Sequence, residues 1–533
     1  MANSPGVYPV EKDLTYNTQS VTSNATGYVG MFRWGPVDEI VEITTNEGEL
    51  VQRFGQPDAA TTQYFHAAAN YLLYSVPLMT VRVVGTGSKN AMGDDAADGV
   101  SAPLIRNGDH YDELTLTGIS FVGRYPGDLV NGVKVSIANS VGYATWAHKG
   151  QFEYAPQNAT TFNMVVIDAS GLISGTVGTI LEKYELMTLT AGAKKTDGTT
   201  ANLKEALRTQ SKYILLGDAA KIVFTTGLFE TTLELGVDDN DAENADFVSG
   251  WDLFANKDTV DIVRVFTAFN PLAAVVRAID VMDSRLDAVA FNAPPLAAVY
   301  NTLDRTDNLI EYFGTTLNKP TSYAFNVDNW KMVNDKYNDK NIWIPCDSDA
   351  AGLHARVFVQ NEPWFSPAGL NRGQLKNVIK LAWSSNQAQR DLLYPQSINS
   401  IVAFKGEGTV LFGDKTALMA PSAFSRINVR TLFIVMKKAI TRSARYQLFE
   451  LNDFITQALF RNSTDQYLGD IQARRGIYDR RVICDSSNNT PQVIDANEFV
   501  GDIYVKPARS INVIRLNFIA VATGVEFAEI EGA

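Results

Sequence analysis

Catalysis, metal binding or phosphate binding would have to begin at four histidines, two cysteines, one glycine-spaced turn and one acidic loop. His66, His110, His148 and His354 stand apart, with no His-x-x-x-His pair and no Cys-x-x-Cys, so a zinc set is not predicted. Cys346 and Cys484 form at most one bridge, a usage that fits a reducing cytoplasm. The stretch from Gly408 to Gly413 has the glycine spacing of a phosphate loop, but Asp414 stands where the lysine belongs and displaces Lys415 and Thr416 by one. A carboxylate there repels the phosphates that the backbone cradle must attract, so a turn after a strand is the better reading. The run Asp238-Asp239-Asn240-Asp241-Ala242-Glu243 invites calcium, yet the sixth position counted from Asp239 is Asn244 instead of glycine and no glutamate stands at the twelfth. The expectation is no catalytic residue, no cofactor and no metal.

Charge placement is more informative. The 533 residues carry 59 acids and 46 bases, a net charge of −13, which argues against direct nucleic-acid binding. Between Arg426 and Arg481, however, eleven bases face five acids, so this window is +6 and the rest −19. The longest helical pattern runs from Lys437 to about Phe460, with Ile440, Ala444, Leu448, Leu451, Ile455 and Leu459 on one stripe. Lys438, Arg442 and Arg445 share another face, in the first turns, where cations oppose the helix macrodipole. Either that face meets something acidic outside the chain, or acidic neighbours come to it from elsewhere in the fold.

The elements that would position these groups read as α/β. Ile40–Thr44 alternates as a strand, Asn46–Phe54 and Thr61–Tyr74 read as helices, and Leu78–Val84 as a β-branched strand. Asp261–Phe269, Ala273–Arg285 and Asp287–Phe291 repeat a strand–helix–strand order, and Asn341–Pro345 is a further strand. Between them, Leu114–Leu116, Val133–Ile137 and Phe162–Ile167 alternate with turn residues, as in a small inserted β domain of barrel or sandwich type. Strands at Val378–Trp383, Ile398–Phe404 and Val429–Val435, and a helix capped by Ser384 or Ser385 and ending before Pro395, precede the long helix. Ile503–Val505 and Val513–Val521 close the chain as strands, and residues up to Asn24 read as an arm. With 45% hydrophobic and 10% aromatic residues, the chain can fill two to four cores. No secretory signal and no window of ~20 apolar residues is visible, so membrane insertion is not predicted.

Short motifs in a fixed order then carry a resemblance. Ser4-Pro5-Gly6-Val7-Tyr8, Gly27-Tyr28-Val29-Gly30, Phe54-Gly55, Pro126-Gly127-Asp128 and Arg285-Leu286-Asp287 lead the chain. Asp391-Leu392-Leu393-Tyr394, Phe412-Gly413-Asp414-Lys415-Thr416, Ile427-Asn428-Val429-Arg430, Leu448-Phe449-Glu450 and Lys506-Pro507 follow. Together they resemble the contractile-tail sheath proteins of bacteriophages over nearly the whole chain. Thr431 and Leu451 depart from the family's common residues without touching a reactive group.

The resemblance implies an α/β (α+β) multidomain protein: a tube-proximal sheath domain built from both chain ends, an inserted β-rich protruding domain and extended terminal arms. The expected bounds are an arm over 1–24, a body over 25–92 and 196–375, and an insertion over 93–195. A C-terminal tube-proximal domain over 376–505 and a strand arm over 506–533 complete them. Pro5, Gly6, Val7, Tyr8, Val513, Ile514, Leu516 and Phe518 would add strands to neighbouring subunits. Lys438, Arg442 and Arg445 would face the tube. The implied partners are other copies in a helical homopolymer, the tail tube protein, and baseplate and tail-terminator proteins. The place is the virion tail, assembled in the host cytoplasm. A multidomain cytosolic α/β enzyme is the alternative from the strand–helix segments alone, and a phage-like injection device or bacteriocin the alternative within the structural class.

Overall fold

The computed structural model describes residues 24–93 and 101–512. Its first unit is β1 (Thr26–Gly30), β2 (Ile40–Ile43), α1 (Glu47–Phe54), α2 (Thr62–Leu72) and β3 (Leu78–Arg82). The Asn46 side chain accepts from the Gly48 and Glu49 amides, which is why α1 begins there. Every residue of β1 is buried, because it pairs in parallel with β3 on one side and has helices over both faces.

The chain then leaves the body and builds a second unit. This holds α3 (Gly108–Glu113), β4 (Phe121–Gly123), β5 (Val133–Asn139), β6 (Thr161–Asp168), β7 (Thr179–Thr188), α4 (Leu203–Gln210), β8 (Ile214–Leu216) and β9 (Leu228–Thr232). A four-stranded antiparallel sheet, β7-β6-β5-β9, and the β4–β8 pair enclose a separate core of Phe121, Val135, Ile137, Phe162, Met164, Leu203 and Leu207. The expected end of the insertion at 195 is therefore short. β9 pairs with β5 and α4 fills the insert's core, so the unit closes only where Lys89 and Val237 bridge. Leu114–Leu116 is not a strand.

The body resumes with α5 (Asn244–Asp252), β10 (Arg264–Phe266), α6 (Leu272–Arg285), β11 (Val289–Asn292), α7 (Arg305–Glu311) and β12 (Ala324–Val327). β13 (Trp330–Asp335), β14 (Lys340–Pro345), α8 (Asp347–Gln360), β15 (Lys380–Leu381), α9 (Gln387–Leu393), β16 (Ile398–Phe404) and β17 (Gly408–Phe412) follow. Asn386, not Ser384 or Ser385, caps α9. The main sheet has the order β17-β16-β12-β11-β10-β1-β3-β2, with six parallel strands inside and an antiparallel strand at each edge. Because β16 pairs with β12, residue 376 is no boundary: the C-terminal third supplies strands to the same sheet.

Side-chain alternation along β1 sorts the helix layers. Tyr28 stacks on Phe266, which stacks on Tyr71 of α2, while Val29 on the other face lies against α5. A side chain at Gly250 would place its Cβ 2.7 Å from Val29, and one at Gly352 2.6 Å from Tyr74, so α5 meets β1 and α8 meets the end of α2 only through glycine.

Arg82, at the end of β3, ties the two units together. Its buried guanidinium donates to the carbonyls of Phe32, Arg33 and Gly35 in the body and of Pro126 in the insert, and lies 3.6 Å from Asp238. Burial lowers its pKa to about 10, so it stays charged at neutral pH. Removing one member of a buried ion pair costs about 3–5 kcal/mol. Arg82→Met is expected to lose that much in urea unfolding and to expose the junction near 85–90 and 237–240 to protease. An unchanged unfolding curve would show that the junction does not depend on Arg82.

Candidate assembly interface

The residues flagged for chemistry fall into separate structural roles. His66 Nε2 lies 3.0 Å from Asp335. Burial works against that carboxylate, but hydrogen bonds led by Thr62 and Asn338 outweigh it and hold its pKa well below the usual range. His354 is buried between Arg264, which donates to Nδ1 at 3.0 Å, and Thr431 at 2.8 Å from Nε2, and burial keeps it neutral. Cys346 and Cys484 are both buried and free. Among the described residues, no group of three or more histidine, cysteine or acidic side chains could hold a metal ion, and no helix is long and apolar enough to cross a membrane.

The two look-alike sites resolve into packing. Gly408–Phe412 is the edge strand β17, not a loop, and Asp414 is engaged by Arg426 at 2.9 Å and Ser510 at 2.5 Å. In the acidic loop, Asp239 accepts from the Gly87 amide, and Asp238 accepts from the Asp128 amide beside Arg82. Burial pushes the Asp238 carboxyl up to about 7. That loop latches the insert to the body. Parallel sheets bind ligands where strand order reverses, here between β1 and β10. The chain's own Tyr28, Asn270 and Trp251 fill that crevice, with Asn270 donating to the Val29 carbonyl and Trp251 to Asn270.

The C-terminal region contains α10 (Ile427–Ala444), α11 (Phe454–Ala473), β18 (Ile477–Ile483), α12 (Pro491–Asp495) and β19 (Asp502–Pro507). Two expectations need correction. Val429–Val435 is not a strand but the buried part of α10, since a short apolar run does not distinguish the two. The helix predicted over 437–460 is two helices, broken at Leu448, whose backbone is extended, and at Phe449, whose φ is +71°. The signal for the break was present: the Asp453 side chain accepts from the Thr456 amide and starts α11.

The true start of α10, ten residues earlier, reverses the electrostatic premise. Lys437, Lys438 and Arg442 sit in its last turns, where cations complement the macrodipole. α10 runs beneath the starting ends of three strands. Arg430 bonds Ser322 and Tyr323 before β12, Lys437 the Leu286 carbonyl before β11, and Lys438 Asp261 at 2.7 Å before β10. Lys438 also lies 3.3 Å from Asp287, Arg442 3.5 Å from Asp261, and Arg445 2.8 Å from Asp258. These acidic neighbours come from within the fold. Lys438 is 11% exposed, whereas Arg442 and Arg445 keep 52% and 60% of their side chains open.

Beyond Arg445 the chain turns apolar residues outward. Tyr446, Leu448, Phe449, Leu451, Phe454 and Ile455 are each more than 60% exposed, so half of the predicted helical stripe faces outward at a helix–helix tip. Soluble monomers seldom expose such a cluster without a partner. Behind it, β18 and β19 form a two-stranded antiparallel sheet in which, among the described residues, each strand pairs only with the other. Pro5, Gly6, Val7, Tyr8, Val513, Ile514, Leu516 and Phe518 lie outside the described residues.

The outward-turned apolar tip and the two-stranded sheet, extended by no further strand among the described residues, are surfaces of the kind that assembly uses. Residues 240–417 match the phage tail sheath protein central domain, and 419–520 the phage tail sheath C-terminal domain. The chain is 33% identical to a tail sheath protein of Salmonella phage ViI, over 99% of this chain and 97% of the other. It is 32% identical to the tail sheath protein of Enterobacteria phage T4, over 99% of both. A crystal structure of a sheath tail protein from Listeria innocua aligns over 93% of this chain and 97% of its own, with a TM-score of 0.55 at 12% identity. The chain belongs to the phage tail sheath family.

Two buried acids set a pH dependence for the body. Burial pushes Asp328 and Asp347 each up to about 7, against backbone hydrogen bonds from Ile401 and Ser348. Unfolded, each titrates near ~3.9. Their contribution to stability is therefore full below about pH 4 and lost as pH rises through about 7. Asp328→Asn cannot ionise, so its stability in urea unfolding is expected to fall less between pH 5 and 8.5 than that of the unsubstituted chain. Equal falls would exclude Asp328 as a contributor.

Proposed function

We propose that the chain polymerises helically around a tail tube in a metastable extended state. Triggering by the baseplate then releases it into a contracted lattice that drives the tube through the host envelope for genome delivery. The observation that carries this reading is the β18–β19 pair, which presents strand edges to further copies beside a chain whose two ends continue outside the described residues. Strand addition supplies main-chain hydrogen bonds while alternate side chains set the register. Residues around Pro5–Tyr8, and Val513, Ile514, Leu516 and Phe518, are the proposed donors. A helical lattice follows from head-to-tail contacts that do not close into a ring, and a metastable one needs no nucleotide because the driving energy is stored at assembly. Tail-terminator and baseplate proteins are the expected partners at its two ends, and the protein takes its place in the virion tail after assembly in the host cytoplasm.

The tube-facing surface is proposed at the end of α10. Arg442 and Arg445 form its open rim, Lys438 holds the helix end against Asp261 and Asp287, and the apolar tip stands beside them. A binding site of this kind has an apolar centre with cations around it.

In negative-stain electron microscopy the purified chain is expected to form tubular polymers or hollow contracted sheaths; particles that stay monodisperse and globular under all assembly conditions would refute the reading. A chain lacking residues 1–20 should keep its circular dichroism spectrum yet no longer sediment as a cohesive polymer. Lys438, Arg442 and Arg445 changed together to Glu should impair assembly on the tube more than folding. Because Lys438 also braces α10, the double change Arg442→Glu and Arg445→Glu is the cleaner arm. Normal extended tails from that double variant would place the tube contact elsewhere.

A further inference from the structure

Where α2, β13 and α8 pack together, an amine, a carboxamide and a carboxylate meet away from water. Lys331 and Asp349 are fully buried and Asn70 is 4% exposed. Lys331 Nζ donates to Asn70 Oδ1 at 2.7 Å, to Asp349 Oδ1 at 2.8 Å and to the Lys376 carbonyl at 2.7 Å. Because an ammonium only donates, this contact turns the Asn70 carbonyl, and not its amide nitrogen, toward the lysine. Asn70 Nδ2 donates to Ser348 Oγ at 3.0 Å. Asp349 Oδ1 also accepts from the Tyr74 hydroxyl at 2.7 Å, and burial raises the Tyr74 pKa so that this proton stays in place. Asp349 Oδ2 is buried and has no hydrogen-bond partner among the described residues. A buried ion pair with an unsatisfied carboxylate oxygen is costly, and moving one proton from Nζ to Asp349 removes both charges.

The neutral amine that results is a nucleophile held beside a carbonyl carbon in a dry site, the arrangement that activates lysine. Cγ lies one carbonyl bond, about 1.2 Å, beyond Oδ1, so little motion separates the hydrogen bond from attack. We propose that Lys331 and Asn70 of the folded chain join in an isopeptide bond, with Asp349 as proton carrier and ammonia as leaving group. The electron pair on Nζ forms the Nζ–Cγ bond while the carbonyl pair moves on to Oδ1. Its return breaks the Cγ–Nδ2 bond, and Nδ2 leaves with that bonding pair and takes a proton from Asp349. Of the three ammonium protons, one stays on the new amide, one leaves with the ammonia and one is left on Asp349. Asn70 also lines a cavity of about 150 Å³ whose wall includes the exposed Asn334 and Lys336, which gives the ammonia a way out. The bond clasps α2 to β13 inside the body, across 261 positions of sequence.

Mass spectrometry of the full-length chain, purified and then denatured, tests this directly. The intact mass is expected to fall short of the sequence by one ammonia. Trypsin should release segment 54–82 joined to the stretch around Lys331, with no cut after Lys331 itself. A chain of full sequence mass, or an ammonia lost elsewhere with segment 54–82 recovered free, overturns the proposal. As a second arm, Asp349→Asn keeps the side-chain shape but cannot carry the proton. In newly synthesised chain with unchanged circular dichroism, it should form the linked fragment roughly a hundredfold more slowly, as loss of a proton-transferring group costs. Linkage at the same rate in that variant also overturns the proposal. If the variant does not fold, the unsubstituted chain still decides whether the bond exists. Isolated and polymerised chains should carry the bond alike, so the result stands apart from the polymer reading.

Discussion

The Arg264 guanidinium is buried at the start of β10 with no carboxylate within ion-pair distance among the described residues. Burial lowers its pKa to about 10, so it remains a cation and must be solvated by the fold. It donates to the Asn24 carbonyl and side chain at 2.8 and 2.7 Å, to Thr26 at 3.3 Å and to His354 at 3.0 Å, and lies over the Phe358 ring. His354 passes the network to Thr431 in α10, which donates to the Ile427 carbonyl. One side chain thus binds the root of the N-terminal stretch, the first strand, α8 and the C-terminal helix. Burying a charge is costly unless the fold supplies hydrogen bonds, so Asn24 at the start of the described chain and Thr431 in α10 are both held to the sheet through this one side chain and His354.

That constraint gives the proposed mechanics a load path. Arms that pull on neighbours are useful only if their roots are rigid, and the N-terminal root is held by Arg264. At the other end α10 crosses the starting ends of β12, β11 and β10, strapped at Arg430, Lys437 and Lys438, with α11 and the β18–β19 pair stacked on it through Leu432, Met436, Leu468 and Ile477. The insert, by contrast, is joined to the body through Arg82, Asp238 and the Lys89–Val237 bridge. A force entering through the C-terminal region reaches the main sheet directly, while the insert lies off that path.

Several elements were legible in the sequence. In the first unit β2, α1, α2 and β3, with the strand–helix–strand order around α6 and the β16 strand, follow from periodicity and caps, whereas β1 is not among the expected strands. What failed was local ambiguity. The β-branched run at Val429–Val435 suits a strand or a buried helix, and only the layer above it selects the helix. The three-four stripe from Ile440 to Leu459 looked like one amphipathic helix because periodicity is blind to a single left-handed residue such as Phe449.

The sequence by itself determined the class of the protein: an α/β body with a β-rich insertion, a basic C-terminal window, and ordered motifs resembling the sheath family. Tertiary structure alone decided which charges are spent inside the fold. Lys438, Arg442 and Arg445 find Asp261, Asp287 and Asp258 only because β10 and β11 begin beside α10, about 150 to 190 residues away in the chain. Arg372, Arg390, Arg475 and Arg509 have no carboxylate within ion-pair distance among the described residues, for the same reason. Composition counts charges, but whether a charge is paired depends on distances of a few ångströms, and those exist only once the sheet has brought distant segments together.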